Sequence, residues 1–509
     1  MQIEDHLETA AVPRWYRSAG FGWLMVLLFP PCGLVLLWSQ RRLRLVLKLL
    51  MTLVCLVLTV LYLHLLFGLR VEFAGNMGLI VEFWNPRSHI TRLERQRAGM
   101  EGRAAADSSS NSILTDGGSR QGSAVPWPGF RGPTREGIVP LTGVMTQWPA
   151  RGLRLLWRQP IGEGHASFAI GYGRAYTIEQ RRDQEVVTCY DLATGRELWA
   201  FGYAAYFQEV LGGPGPRATP SLDGDSLFAL GALGDLHCLE AATGKLIWHV
   251  NILRDNQADN LHWGMSGSPL VDGDLVIVTP GGRSGSLIAA YDRYSGQPVW
   301  RAGSGPAGYS SPMIATLAGR RQVLVFGGSA LSGHALDAGQ ELWSYPWVTQ
   351  QEINVCQPIV LDDDRVFISS GYDHGSALLQ VTVSDETFKV KRLWSSKNLK
   401  AKFASAVLHD GFIYGLDEAI LVCLDAETGQ RCWKGGRYGY GQLALIGDAL
   451  VILSENGVLV RVRATPERYQ ELSRFQAIEG KTWNHPAIAD GKVLVRNSRE
   501  MACYELPHD

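Results

Sequence analysis

Residues Asp191–Trp199 read DLATGRELW, and the phrase keeps returning along the chain. It comes back as EAATGKLIW ending at Trp248, DRYSGQPVW ending at Trp300 and DAETGQRCW ending at Trp433. A shortened copy, LDAGQELW, ends at Trp343, degenerate copies end at Trp394 and Phe475, and a half-copy, LRLLW, ends at Trp157. Successive ends fall roughly 39–52 residues apart, which is the period of propeller blades and not of helical arrays.

The chemistry of the phrase predicts a tight turn between strands. Its Asp or Glu can accept backbone N–H groups a few residues on, the Thr or Ser adds a further turn bond, and the Gly supplies positive φ. The Trp then lies on the next strand, where it can fill the gap between neighbouring sheets. Upstream of most Trp ends lies a second hairpin signal, as in SLDGDSLFAL, LVDGDLVIVT, VLDDDRVFIS, VLHDGFIYG and IADGKVLV. Two hairpins per period make a four-stranded unit, and radial repetition of such units makes a propeller.

Counting ends predicts an all-β, eight-bladed β-propeller of four-stranded antiparallel blades over residues 151–509. Its last unit lacks a Trp strand at the C-terminus, and Leu153–Trp157 supplies it from the other end. Seven blades is the alternative if the unit near Gln442–Phe475 is irregular.

The rest of the 509 residues reads as an attachment. Two apolar stretches, Phe21–Trp38 and Leu45–Phe67, make residues 1–70 a membrane anchor of one or two transmembrane helices. The first stretch, interrupted by Pro30–Pro31, is a kinked span, a re-entrant piece or part of the anchor. Arg41, Arg42, Arg44 and Lys48 between the stretches favour the cytoplasmic side. That places the anchor in the inner (cytoplasmic) membrane with the propeller facing the periplasm. Residues 71–97 form a juxtamembrane segment, in which VEFAGNMGLIVEFW can lie along a membrane surface or pack as a short segment. Residues 98–124, rich in Ser, Gly, Ala and Arg, read as a flexible linker on which the folded domain hangs. Residues 125–150 read as an extended strap with Pro-flanked aromatics. A net charge of −1 argues against nucleic-acid binding, because no basic excess is available to neutralise phosphates.

The strap, PWPGFRGPTREGIVP at Pro126–Pro140, followed by D-x-x-T-G-x-x-x-W repeats, resembles the PQQ-like β-propeller repeat family. That family includes quinoprotein alcohol dehydrogenases and the propeller lipoprotein of the outer-membrane barrel-assembly machinery. The resemblance spans roughly Val125–Leu506 and implies the fold; function has to be argued from the site. The dehydrogenases' adjacent cysteine pair and the C-x-x-C-H haem motif are absent from the sequence, as is a lipobox-like N-terminal cysteine. Glu209, Asn260 and Asn354 offer oxygens of the kind Ca²⁺ prefers, but in no matching motif. No catalytic residue, metal site or resident cofactor is therefore expected, with PQQ and Ca²⁺ as the exception an enzyme reading would need.

Cys189, Cys238 and Cys423 each stand ten residues before a repeat Trp, and Cys503 holds the matching place in the last unit, so they read as small buried strand residues. Cys356 reads as a packed thiol, and a hairpin disulfide between Cys423 and Cys432 is conceivable from their spacing. The Ser266 and Ser268 stretch precedes a strand, not a helix, which does not suit a nucleophile elbow. Asp223–Asp225 and Asp362–Asp364 fall at hairpin turns and read as turn chemistry, not metal loops.

The binding reading is geometric. The start of each blade lines the central channel, which brings together His165, Arg217, His262, Trp263, Tyr309, Asn354, Lys402, Tyr440 and His485. Such a ring, with Cys356, Phe403 and Trp483 beside it, suits an anionic small molecule or a peptide segment, or else fills and hydrates the channel. Trp157, Trp199, Trp248, Trp300, Trp343, Trp394 and Trp433 are the structural set. Two functions follow from the resemblance. One is a tethered scaffold or binding module that meets envelope or membrane proteins through the insertions Tyr203–Pro216, Ile252–Met265 and Gln350–Asn354. The other is a divergent quinoprotein-type oxidoreductase with its ligand in the channel.

Overall fold

The Asp-Thr-Gly phrase folds as the turn that its chemistry predicts. Asp191 Oδ1 accepts the Thr194 N–H at 2.8 Å and its hydroxyl at 2.6 Å, and Gly195 takes φ 71°. Asp292 with Ser295 and Asp425 with Thr428 repeat the arrangement. The structure, a computed structural model, describes residues 19–39, 44–85, 88–98, 127–139, 148–149, 151–282 and 285–507.

Each repeat Trp then docks on the turn of the following blade. The indole N–H of Trp157, Trp199, Trp248, Trp394 and Trp433 donates to the carbonyls of Leu192, Ala241, Arg293, Ala426 and Thr465. The indole face lies so close to the turn glycine that a Cβ on Gly296 would sit 2.7 Å from Trp248. This contact locks blade to blade, which is the role the sequence predicts. Trp300 packs on the Gly339 turn without a hydrogen bond from its N–H among the described residues, and Trp343, the exception, does not reach a turn. It donates to Gln322 Oε1 of its own blade at 2.7 Å, because the next blade ends in a long hairpin, Gly375–Ser384 with Thr387–Ser396, that has no Thr-Gly turn to receive it. The copy ending at Trp343 is also not shortened. Ala335 N–H bonds Gln340 O and Gly339 N–H bonds Ala335 O, the same pair of bonds made by Asp292 and Gly296, so Ala335 occupies the Asp position.

The described residues form eight blades, each built on a four-stranded antiparallel sheet. Inner strands are Ala169–Gly171, Ser221–Asp223, Leu270–Asp272, Met313–Leu317, Ile359–Val360, Val407–His409, Gln442–Ile446 and Ala487–Ala489. The seventh unit is regular, from Gln442–Ile446 to Glu471–Gln476, which removes the seven-blade alternative. Blade 8 is closed by Arg154–Pro160, which pairs antiparallel with Glu500–Glu505 and sets Cys503 opposite Trp157. Cys189, Cys238 and Cys423 likewise face Trp199, Trp248 and Trp433 across the ladder, each at a bulge and each buried. A small residue there leaves room for the indole. Cys423 and Cys432 are both free thiols.

Before the propeller strands, a helix over residues 88–98 (α4 in chain order) belongs to the same compact unit from His89 onward. Ile90 and Leu93 are buried, His89 Nε2 lies 2.8 Å from Ile161 O, Arg97 donates to Pro160 O at 2.9 Å, and Glu94 pairs with Arg182. The sequence reading hung the domain on residues 98–124, almost all of which lie outside the described residues, as do Arg41 and Arg42. Chain on both sides of that segment is fixed to the propeller, at residues 88–98 and again at Trp127–Val139. Residues 88–98 thus meet the propeller directly.

The other unit, Met1–Ser88, is described by itself. Helix α1, Ala19–Leu28, and α2, Pro30–Trp38, are 10 and 9 residues long. A Cβ on Gly33 would fall 2.3 Å from Val26 N, so the helices fold back on each other at Phe29–Pro30. Helix α3, Leu45–Phe67, has 23 residues and is the one described helix long and apolar enough to cross a membrane. After Gly68 the chain makes an antiparallel hairpin of β1, Leu69–Phe73, and β2, Leu79–Phe83.

Candidate functional site: a channel closed from one side

A belt of side chains runs around the inner wall of the propeller. The Ser167 N–H bonds Thr219 Oγ1, the Thr219 N–H bonds Ser268 Oγ, the Ser268 N–H bonds Ser311 Oγ, and the Ser311 N–H bonds Gln357 Oε1. The Gln357 N–H continues to Ser405 Oγ, and Ser167 Oγ closes back on His485 O. Each bond crosses from one blade to the next; the first five satisfy an N–H that the inner strand leaves free, and the last satisfies a carbonyl. The signal was in the sequence as a small polar residue just before each inner strand (ATPSL, GSPLV, SSPMI, CQPIV, ASAVL), but it reads there as ordinary loop composition.

Against this belt lies the strap. Trp127 bridges Ile170 of blade 1, Pro128 O accepts the Leu222 N–H, and Ile138–Val139 pairs parallel with blade 7. Arg131, fully buried, donates to Arg135 O, Glu136 O, Ala406 O and Leu443 O and lies 3.1 Å from His485 Nε2. Arg135 donates to Ser268 O, Pro269 O and Pro312 O. Neither guanidinium forms an ion pair with a carboxylate among the described residues. Backbone groups of six blades are thus held by one strap segment, which blocks the channel. Burial lowers Arg131 to about 10 and Arg135 to about 9, so both stay charged at neutral pH.

Above the strap remains a blind pocket of about 170 Å³, floored by Phe130 and walled by Trp263, Tyr309, Tyr372, Phe403 and Trp483. His165 and Arg217 line it, as the sequence reading expects, and Glu209, Leu211 and Gly212 of the first insertion complete the wall. Glu209 takes N–H groups of Leu211 and Gly212 and pairs with Arg217 at 3.3 Å. His165 Nε2 donates to Gly212 O at 2.7 Å; burial, then the charges of Arg217 and Lys481, lower its pKa to about 3 and keep it neutral. Burial raises Tyr309 and Tyr372 to about 12. Lys402 stands over the rings of Tyr372, Phe403 and Tyr440 at 4.8, 5.2 and 4.9 Å, and burial lowers its pKa.

Five members of the expected ring do not line the pocket: Lys402, which stands over its aromatic wall, and four that take other places. His262 is exposed and packs edge-on to Trp263. Asn354 is fully buried and ties Gly327 O, Gly328 O and Trp347 O, with its own oxygen accepting from Ser370. Tyr440 lies behind Phe403 and bonds Glu418. His485 is below the pocket, in the strap layer. Cys356 is buried, its thiol directed to Gln357 O. Sequence reasoning missed Phe130, Glu209 as a wall residue, and Tyr372, which reaches the pocket from a turn with φ 57°.

A sequence profile described as outer membrane protein assembly factor BamB matches residues 182–435. Among solved structures, BamB from Moraxella catarrhalis superposes with a TM-score of 0.51 at 17% identity, covering 69% of this chain and 99% of that one. Quinohemoprotein alcohol dehydrogenase from Comamonas testosteroni gives a TM-score of 0.54 at 13% identity, covering 76% and 81%. Residues 182–435 resemble the PQQ-like repeat family, and the fold is a β-propeller of the same kind. Quinohemoprotein alcohol dehydrogenase ADHIIG from Pseudomonas putida HK5 is similar again, at 0.53 and 14%, covering 76% and 81%. No curated protein sequence matches the chain. Identities this low carry the propeller fold, which scaffold and dehydrogenase share.

The PQQ-like propeller's pocket does not fit a quinone with its Ca²⁺. Glu209 is the one carboxylate in the wall, and its oxygens are already taken. Neither Asn260 nor Asn354 lines the pocket, and the Asn354 oxygen accepts from Ser370. No group of three metal-ligating side chains occurs among the described residues. The pocket is also smaller than the roughly 300–1,000 Å³ usual for ligand sites, and close to the ~150 Å³ that holds a single benzene ring.

Proposed function

We propose that this protein is a membrane-tethered PQQ-like propeller that acts as a protein-interaction module, held by Leu45–Phe67 with its propeller in the periplasm. The observation that carries the reading is the convergence of the insertions. Glu209, Trp263 and Ile353, one from each of the three, line the same pocket, so the insertions gather at one mouth. Around it Tyr206, Val210 and Val348 are exposed. Apolar side chains grouped on loops of a rigid scaffold favour a protein partner. The blocked channel and the committed Glu209 weigh against the oxidoreductase reading.

The test is photo-crosslinking from Val210 and Val348 of the full chain in its native membrane, with Tyr294, on a Thr-Gly-type turn, as the control position. The reading expects a discrete envelope-protein adduct from Val210 and Val348 and none from Tyr294. Equal labelling at Tyr294, or a melting temperature raised by PQQ plus Ca²⁺ as binding to the native state requires, overturns it.

A further inference from the structure

The β1–β2 hairpin has one wholly apolar face. Its register pairs Leu69 with Phe83, Val71 with Val81 and Phe73 with Leu79. Alternate residues of a strand point to opposite faces, so these three pairs share one side of the ribbon. The other side carries Arg70, Glu72 and Ile80. Leu69 is buried, but Val71 is 51% exposed, Leu79 67%, Val81 60% and Phe83 65%. Isolated two-stranded hairpins are marginal in water, and this one leaves most of its apolar face uncovered by the described residues of its own unit.

The hairpin's place is fixed by what precedes it. Gly68, at φ 70°, is the only residue between α3 and β1. Its N–H bonds His64 O, its carbonyl accepts the Trp84 N–H at 2.7 Å, and His64 Nδ1 lies 2.8 Å from Leu69 O. Those bonds tie both ends of the ribbon to the last turn of α3, where Leu65, Leu66 and Phe67 are themselves exposed. If α3 spans, the hairpin starts at the depth where the span ends. Arg70 stacks on Trp84 at 4.9 Å beside that end, the pairing of cation and indole that suits a headgroup layer.

We infer that the β1–β2 hairpin is a lipid-binding ribbon that lies in the bilayer interface, with Val71, Leu79, Val81 and Phe83 against the acyl chains and Arg70 and Glu72 toward the headgroups and water. The ribbon supplements the single span by adding an apolar footprint on the surface, as amphipathic helices do elsewhere. It rests on the reading of α3 as a membrane span.

The experiment uses the full chain in vesicles of phosphatidylethanolamine and phosphatidylglycerol, with the exposed Cys32 and Cys432 changed to Ser. A nitroxide is placed at V81C, at L79C or at E72C, and its collisions with oxygen and with a water-soluble nickel chelate are compared. The inference expects positions 79 and 81 to favour oxygen severalfold over position 72, which favours nickel. Equal accessibility at 72 and 81 in protein that floats with the vesicles overturns the ribbon and leaves the span intact. Protein that does not float overturns the span and the ribbon with it. Spin–spin broadening at 81 that vanishes on dilution with unlabelled chain assigns the face to a second copy, and the inference falls. Using both 79 and 81 guards against one label that distorts the hairpin.

Discussion

Arg131→Met removes the guanidinium from the strap while keeping a long apolar stem in its place. The side chain makes contacts of 3.2, 3.3, 2.6 and 2.8 Å to four carbonyls and 3.1 Å to His485. Hydrogen bonds to a charged group each contribute roughly 1.5–3 kcal/mol, and every carbonyl left without a donor in the interior costs about 1–3 kcal/mol. Against this, methionine relieves the cost of holding a charge in a site with no carboxylate. Removing one party of a buried charged network costs about 3–5 kcal/mol net, and that is the expected loss here. With an unfolding entropy near 2.1 cal/mol/K per residue, a unit of this size should melt roughly 4–6 °C lower. The assay is the melt of the full chain in detergent, followed by near-UV circular dichroism. Arg131→Lys should recover little, since one ammonium cannot reach carbonyls of Ala406, Leu443 and Glu136 together. A melt within about 1 °C of wild type for Arg131→Met would refute the strap as a structural keystone.

Trp248→Ala should cost roughly 3–5 kcal/mol in a denaturant titration, as buried aromatic truncations do, and Gly296→Ala should lose at least about 1 kcal/mol, because its Cβ meets the same indole and its φ is 71°. His237 and His485 are each lowered to about 3, chiefly by burial, so the folded state binds fewer protons than the unfolded one. Their contribution is complete above about pH 6.5 and is lost as pH falls toward 3, at about 1.4 kcal/mol per pH unit for each. His485→Asn should make the stability profile between those limits measurably shallower. A protease site engineered into residues 99–126 of the vesicle-bound chain should, once cut, leave the propeller sedimenting with the vesicles through the helix at residues 88–98. Leu93→Asp with Arg97→Ala should release it; release on cutting alone would restore the segment as the tether.

The blades were legible because their signal is local. Asp, Thr and Gly at fixed spacing specify a turn, and the Trp that follows has one gap to fill, so Trp199, Trp248 and Trp433 could be given a role from sequence. The closing strand was legible by count, since one half-phrase at Trp157 was left over. The channel ring was legible only in part. Being near a blade start puts a residue beside the axis, but direction depends on whether its backbone neighbours need it. Asn354 is drawn back by three carbonyls, and His485 is drawn down by the strap. The strap's function was hidden because Arg131 and Arg135 find their partners on the blades 133 to 354 residues away. No window on the sequence contains both ends of such a contact.

Those separations also explain how so short a strap can serve. Closing a loop costs in proportion to the logarithm of its length, about 0.6 kcal/mol for each doubling. Arg131 reaching Ala406, 275 residues on, therefore pays little more than a contact half as distant. The ring must in any case be closed across its full length when Arg154–Pro160 pairs with Glu500–Glu505. Once that pairing has brought the chain ends together, blades 6 and 7 present their inner carbonyls and blade 8 presents His485 within reach of Trp127–Val139, and the strap's bonds form at almost no further entropic cost. Ring closure and strap binding should thus be one cooperative step, with the strap stabilising a ring that its outer strands alone hold at a single seam.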